Sequence, residues 1–367
     1  MNKLVIGNLV HRPLRSLISV FAVAIEVIMI LSIAAIMFGM LNGQKVRTSG
    51  IGADMITHPG AASNLIGVSG AAASIKVADV LRPLPHITVV SPVNIKLSSG
   101  ATLENIYGID FKSFQDLRPF TFISGGPFQA PDDAIIDDYE AARGTGKKVG
   151  DPIQILNHTF RIAGIVEHGR GGRKFIPIET MGQLIGTEGK ASYFYLKLDD
   201  IKNSDAVRAE IKATPGMEQY DVQTMEELLS SLTPDKMPGF NVGLRTVIGI
   251  AIIIGFLVIF QSMYTAVMER TREIGILKSL GASKAAIVGA VLRESGLLAV
   301  CGIALGIAAT FGIRAGLHAK FPTMDFELTG QWIVIATLLA LAGALFGALY
   351  PALKAAAKDP IEALAYE

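Results

Sequence analysis

The sequence contains one cysteine, Cys301, and one tryptophan, Trp332, among 367 residues. A lone cysteine excludes an intrachain disulfide. Charge is scarce as well: 18% of residues are Asp, Glu, Lys or Arg, and the net charge of +1 favours neither nucleic acid nor a strongly acidic partner. The signatures of cofactor chemistry are missing too. Gly169, Arg170, Gly171, Gly172 and Arg173 form a glycine-rich run without the GxxxxGK[ST] pattern, so it is no nucleotide loop and reads as a mobile surface turn. His58, His86, His158 and His168 lack metal-site spacing and read as lone surface histidines. Asp132, Asp133, Asp137 and Asp138 cluster without EF-hand spacing and read as solvated turn residues. No triad or paired-carboxylate pattern supports a membrane-anchored enzyme. The sequence therefore implies no bound cofactor and no metal.

What the chain has in abundance is apolar residues, at 50% with a mean hydropathy of +0.45. They concentrate in four runs, 17–41, 247–268, 295–313 and 332–353, each long enough for a transmembrane helix. Ahead of the first run, residues 1–16 read as a cytoplasmic or interfacial amphipathic segment containing Lys3, Arg12 and Arg15. Lys and Arg also crowd the 269–294 loop, Lys354 and Lys358 stand at the start of the 354–367 tail, and the short 314–331 loop, with Arg314, Lys320, Asp325 and Glu327, is less basic than the inner segments. The positive-inside rule then puts both termini and 269–294 in the cytoplasm and residues 42–243 outside.

That outer segment has ordinary globular composition. Residues 54–57, 87–97, 103–109, 134–137, 153–156, 160–166, 193–198 and 217–222 read as strands, with helices over 76–81 and 203–213. The βαβ pattern near the end has its counterpart near the start. An α+β domain of split plan, with a middle subdomain inserted, is the expectation.

The charged island 269–294 separates two apolar runs. Ile274, Leu277 and Leu280 recur at helical spacing, Gly281 stops that helix and Ser283 is placed to cap a new, short one. The run Arg270, Thr271, Arg272, Glu273, Ile274, Gly275, Ile276, then Leu280, Gly281, Ala282, Ser283 and Glu294 resembles the cytoplasmic loop of MacB/FtsX-type ABC transporter permeases. The ending Tyr350, Pro351, Ala352 through Asp359, Pro360 and Ile361, and the entry Asn8, Leu9, Arg12, Pro13, Leu14, are similar to that family as well.

The resemblance implies a permease subunit in the cell inner membrane, dimeric with itself or a second permease. ATP would be bound and hydrolysed by a separate ABC ATPase, and a periplasmic adaptor is a further implied partner. Arg272, Glu273, Gly281, Ala282, Ser283 and Lys284 are then the expected ATPase-coupling residues. The implied role is export or extraction of a lipophilic molecule, peptide or lipoprotein. The alternative is an FtsX-like regulator that passes force to a cell-wall hydrolase and transports nothing.

Glu26 interrupts the first apolar run. Counted from Leu17 it lies roughly 13 Å deep, and Gln261, counted back from Glu269, roughly 12 Å. Matching depths predict a neutral Glu26 hydrogen-bonded to Gln261, with Ser262 or Tyr264 completing an intramembrane polar cluster, either within one subunit or across the dimer.

Overall fold

The computed structural model describes residues 13–60, 72–99, 103–142, 146–236, 239–321 and 323–358. Residues 1–12 of the expected amphipathic segment and the end of the tail, including Asp359 and Pro360, lie outside them, while residues 13–16 of that segment belong to the first helix. Two compact units make up the chain: Met1–Gly39, Gly239–Gly316 and Phe326–Glu367 form one, Met40–Pro238 and Leu317–Asp325 the other.

The first helix, α1, is Pro13–Ser49. Pro13 opens it, at a position where a missing N–H breaks no helical bond. The apolar run ends at 41, yet the helix continues through the polar residues Asn42 to Ser49. Its 37 residues rise about 55 Å, well beyond the ~30 Å of a hydrocarbon core. Hydropathy marks the bilayer, not the helix end.

The outer unit is a mixed sheet with helices on its faces. Its first elements are β1 (Met55–Pro59), β2 (Ala73–Ser74), α2 (Val77–Leu81), β3 (Ile87–Ser99) and β4 (Leu103–Ile109). Then come α3 (Phe111–Leu117), β5 (Phe122–Gly125), β6 (Asp133–Asp137), α4 (Asp138–Ala141), β7 (Pro152–Ile155) and β8 (His158–Val166). β9 (Lys174–Pro177), α5 (Ile178–Ile185), β10 (Lys190–Ala191), β11 (Tyr193–Leu198), α6 (Ser204–Ala213), β12 (Tyr220–Thr224) and α7 (Met225–Ser231) complete it.

Strand order is β12-β1-β11-β3-β4-β9-β6-β8-β5, with β7 on β8 and a separate β2–β10 ribbon. The first four strands come from the two ends of the segment and the rest from its middle, so the inserted plan is present. It is built as one continuous sheet, joined where β3 pairs with β4. Apolar residues alternate to the faces: Val90, Phe194, Leu196 and Val222 pack on Val207 and Ile211 of α6, whereas Val93, Tyr107, Phe175 and Tyr195 pack on Phe114 of α3. The last expected strand begins later, at Tyr220, because Met217 is spent in a turn whose carbonyl accepts from the Tyr220 N–H.

The helical unit continues with α8 (Phe240–Glu269), α9 (Thr271–Ser279), α10 (Lys284–Lys320) and α11 (Gly330–Ala357). With α1, three of these are long and apolar enough to cross a membrane. The fold class is therefore an α-helical membrane unit joined to a mixed α/β domain. α10 begins inside the segment expected to be a loop and runs on to Lys320, another 37 residues. Its Gly302 and Gly306 meet α1, where an added Cβ would fall 2.7 Å from the Val23 Cβ and 2.8 Å from the Ala24 carbonyl oxygen. Close packing is their role, as it is for Gly347 against the Phe256 carbonyl.

Candidate functional site

At one end of the helical unit, α8 and α9 meet at a sharp break on Arg270. Thr271 Oγ1 donates back to the Met268 carbonyl at 2.8 Å, and the Arg270 guanidinium reaches Glu294 of α10 at 3.2 Å. Both members of that pair are nearly buried. Lys278 Nζ donates to the Ala356 carbonyl at 3.0 Å and to that of Lys358, tying α9 to the end of α11. α9 then stops in a Schellman motif: Ala282 N–H donates to Leu277 O and Gly281 N–H to Lys278 O, both at 3.0 Å. Gly281 has φ +93°, which a side chain would strain.

Ser283 Oγ accepts from the Ala286 N–H at 3.2 Å. The cap is present, but it starts the 37-residue α10 itself, not a short separate helix. A contact at the tip thus bears on a long rigid element. Arg272, Glu273, Gly281, Ser283 and Lys284 are exposed and Ala282 half-buried. Ile276, Leu277 and Leu280 are exposed beside them, Leu280 at 80%. An apolar tip flanked by charge is suited to docking a protein surface. Of the three residues that recur at helical spacing, Ile274 is half-buried, whereas Leu277 and Leu280 are exposed.

Glu26 is 2% exposed and does not meet Gln261. Gln261 is exposed, Ser262 pairs instead with Ser19 at 2.6 Å, and Tyr264 OH accepts from Lys354 at 2.9 Å. The partner of Glu26 is an absence of side chain, since a Cβ on Gly255 would lie 1.8 Å from Oε2. Depth counting picked the wrong residue because α1 starts at Pro13, not Leu17. From Pro13, Glu26 is about 20 Å along α1, and Gly255 is about 21 Å from the Glu269 end of α8.

The outer unit has its own cluster, around Asp325. Arg47, in the last turn of α1, donates to Asp325 Oδ2 at 2.9 Å, and Arg173 donates to both oxygens at 3.1 and 3.2 Å. Gly43 makes room: a Cβ there would sit 2.2 Å from Oδ2. Gly171 N–H donates to the Arg47 carbonyl at 2.6 Å, and Gly50 lies against the Gly169 carbonyl. Arg173 also approaches Asp137 at 3.7 Å and the face of Tyr139 at 5.5 Å.

The glycine-rich run is therefore not a mobile surface turn. Residues 170–173 are buried, and Arg170 is held over the rings of Phe114 and Phe120, 4.7 and 4.0 Å from their centroids. Burial, aided by Arg118, pulls its guanidinium down to about 9. Sequence reasoning missed this clasp, because its anchors lie far away in the chain.

Two of the four clustered aspartates are likewise not solvated. Asp133 and Asp137 are each 1% exposed. Burial works against the Asp133 carboxylate, but the Gln129 N–H at 2.7 Å and the Arg161 fork hold it below the usual range. For Asp137 burial wins over Arg173 and raises the carboxyl to about 7. His86, His158 and His168 pair with Asp199, Asp132 and Asp138, while His58 is buried 3.8 Å from Asp221. No group of metal-ligating side chains occurs among the described residues.

Comparison with known proteins gives the same two parts. Residues 16–214 match the MacB-like periplasmic core domain, and residues 245–360 the FtsX-like permease C-terminal family. The ABC transporter permease YknZ of Bacillus subtilis is 29% identical over 223 residues, covering 59% of this chain and 55% of the relative. The macrolide export ATP-binding/permease protein MacB of Bdellovibrio bacteriovorus is 25% identical over 402 residues, 98% of this chain and 60% of the relative. Among solved structures, the periplasmic region of MacB from Actinobacillus actinomycetemcomitans aligns with a TM-score of 0.39 at 17% identity, over 50% of this chain and 94% of that one. The chain spans between 55% and 60% of the length of these two curated relatives.

Proposed function

Because this chain belongs to the MacB/FtsX-like family of ABC transporter permeases, we propose that it passes the ATP-driven motion of a separate ATPase subunit to its extracytoplasmic domain. The observation that carries this reading is the elbow. Its tip exposes Ile276, Leu277 and Leu280, while Arg270–Glu294 and Lys278 brace its base against α10 and α11. A push on the tip meets the capped start of α10, a helix about 55 Å long. Rigid elements of that length transmit displacement without needing to unfold.

In this proposal the chain lies in the inner membrane with both termini cytoplasmic and acts as a dimer, alone or with a second permease. A periplasmic adaptor is a fitting further partner. The cargo is a lipophilic molecule, peptide or lipoprotein; the macrolide export named for some relatives falls within the first of these. Regulation of a cell-wall hydrolase is the less favoured reading, since the outer segment matches the MacB-like core domain.

Copurification in lipid with the candidate ATPase tests the proposal. Hydrolysis should be stimulated by one class of cargo and uncoupled by Ala282→Trp. Failure of the ATPase to bind the parent chain would overturn it.

A further inference from the structure

Glu26 is the only ionisable group between Arg15 and Lys45 on α1. Its Oε1 has no hydrogen-bond partner among the described residues. Two other helices close over the carboxyl with bare backbone: Gly255 of α8 faces Oε2, and a Cβ on Gly343 of α11 would lie 3.7 Å from Oε1. Ala251, Ala336, Ala340 and Ala344, each 1% exposed or less, continue these small-residue faces.

Among the described residues no ion pair with Glu26 occurs. Along α8 no ionisable residue stands between Arg245 and Tyr264, and along α11 none stands between Gly330 and Tyr350. On α10 the stretch from Ser295 to Ile313 has only Cys301, which is exposed. An unpaired carboxylate at this depth is costly, whereas the neutral acid forgoes only hydrogen bonds. The contact with Gly255 is too tight for an amine or a metal ion and its ligands. A proton fits.

We propose that Glu26 is a proton-binding site whose occupancy holds α8 and α11 against α1. With the proton bound, the carboxyl is neutral and the glycine faces close on it. When the helices part and water enters, the proton passes to water, and the hydrated carboxylate then opposes repacking until it is protonated again. The glycines are what makes this possible, since any side chain at 255 would occupy the space of the carboxyl. The inference depends neither on what the chain transports nor on its ATPase.

The test uses the full chain in nanodiscs of phosphatidylcholine and phosphatidylglycerol. In an Asp137→Asn background, which removes the other carboxyl raised to about 7, infrared spectra at pH 7 should contain a protonated-carboxyl carbonyl band that is lost on adding Glu26→Gln; identical spectra would overturn the proposal. Packing is read separately by labelling a cysteine introduced at Ala340, in a Cys301→Ala background, with a small water-borne thiol reagent. Labelling should rise with pH more steeply in the parent than in Glu26→Gln, where only the thiol's own ionisation contributes. The same pH profile in both would sink the link to packing. Gly255→Ala, which keeps the acid but crowds it, should raise labelling at pH 7 severalfold; no change there would also count against the proposal.

Discussion

Arg47 and Asp325 are 278 residues apart in sequence, and their side chains meet at 2.9 Å. The pair joins the last turn of α1 to the segment that follows α10. Arg173 holds the other side of Asp325 and carries the link to β6 through Asp137. In the proposed function, this clasp is where movement of the two long helices enters the sheet.

Removing Asp325 should therefore loosen the outer domain more than a surface ion pair would. Asp325→Ala leaves Arg47 and the nearly buried Arg173 without their shared acceptor, and a loss of about 1–3 kcal/mol is expected. Gly43→Ala should act in the same direction by displacing Asp325. Thermal unfolding of the full chain in detergent checks both, and unchanged midpoints would reject the clasp as a structural element.

Asp137 gives a pH dependence with a definite sign. Its carboxyl is raised to about 7 from an ordinary ~3.9, so between those values the folded state binds more protons than the unfolded one. The stability it contributes is fully present below about pH 4 and is lost as pH rises through 7. Asp137→Asn keeps an acceptor for the Glu140 N–H and removes the titration. From pH 5 to 8 the parent should lose about 2 kcal/mol more than this variant. Equal slopes in thermal melts across that range would contradict the assignment.

At the elbow, Ser283→Ala should cost about 1 kcal/mol by removing the cap on the Ala286 N–H. Gly281→Ala should cost about 1 kcal/mol or more, because its φ of +93° is a left-handed conformation. Hydrogen exchange localised to residues 279–287 reads both effects. Faster exchange confined to that turn is expected, and exchange unchanged in both variants would remove the elbow's claim to rigidity.

These positions show which parts of the chain were legible. The strands at 103–109 and 193–198 were readable from short runs rich in Ile, Leu, Tyr and Phe, and in 193–198 both faces are buried. The stalk of α1 beyond residue 41 was not, since Asn42, Gln44 and Lys45 end the hydropathy while the helical bonds continue. β9 was hidden by its length and by Lys174, a buried lysine whose partners Glu104 and Glu140 are distant in sequence. The helix break and cap at the tip were legible from Gly281 and Ser283, both local signals. The Asp325 clasp and the Gly255 notch depend on pairings that no local signal encodes.

Orientation is open to direct labelling. In a Cys301→Ala background, cysteines at Glu188 and Ser283 should react with an impermeant reagent from opposite sides of the membrane. Both positions are exposed. Reaction of both from one side would reject the proposed topology.

The central claim is that ATP-driven motion reaches the outer domain through the helices. The direct measurement is a spin-label distance between exposed positions Arg314, in the helical unit, and Glu188, in the outer unit, replaced by cysteine in a Cys301→Ala chain copurified with its ATPase in nanodiscs. Adding ATP with vanadate should shift the distance distribution in the parent and leave it unshifted in Ala282→Trp while the ATPase remains bound. An unshifted distribution in the parent, with ATP demonstrably hydrolysed, would contradict the account.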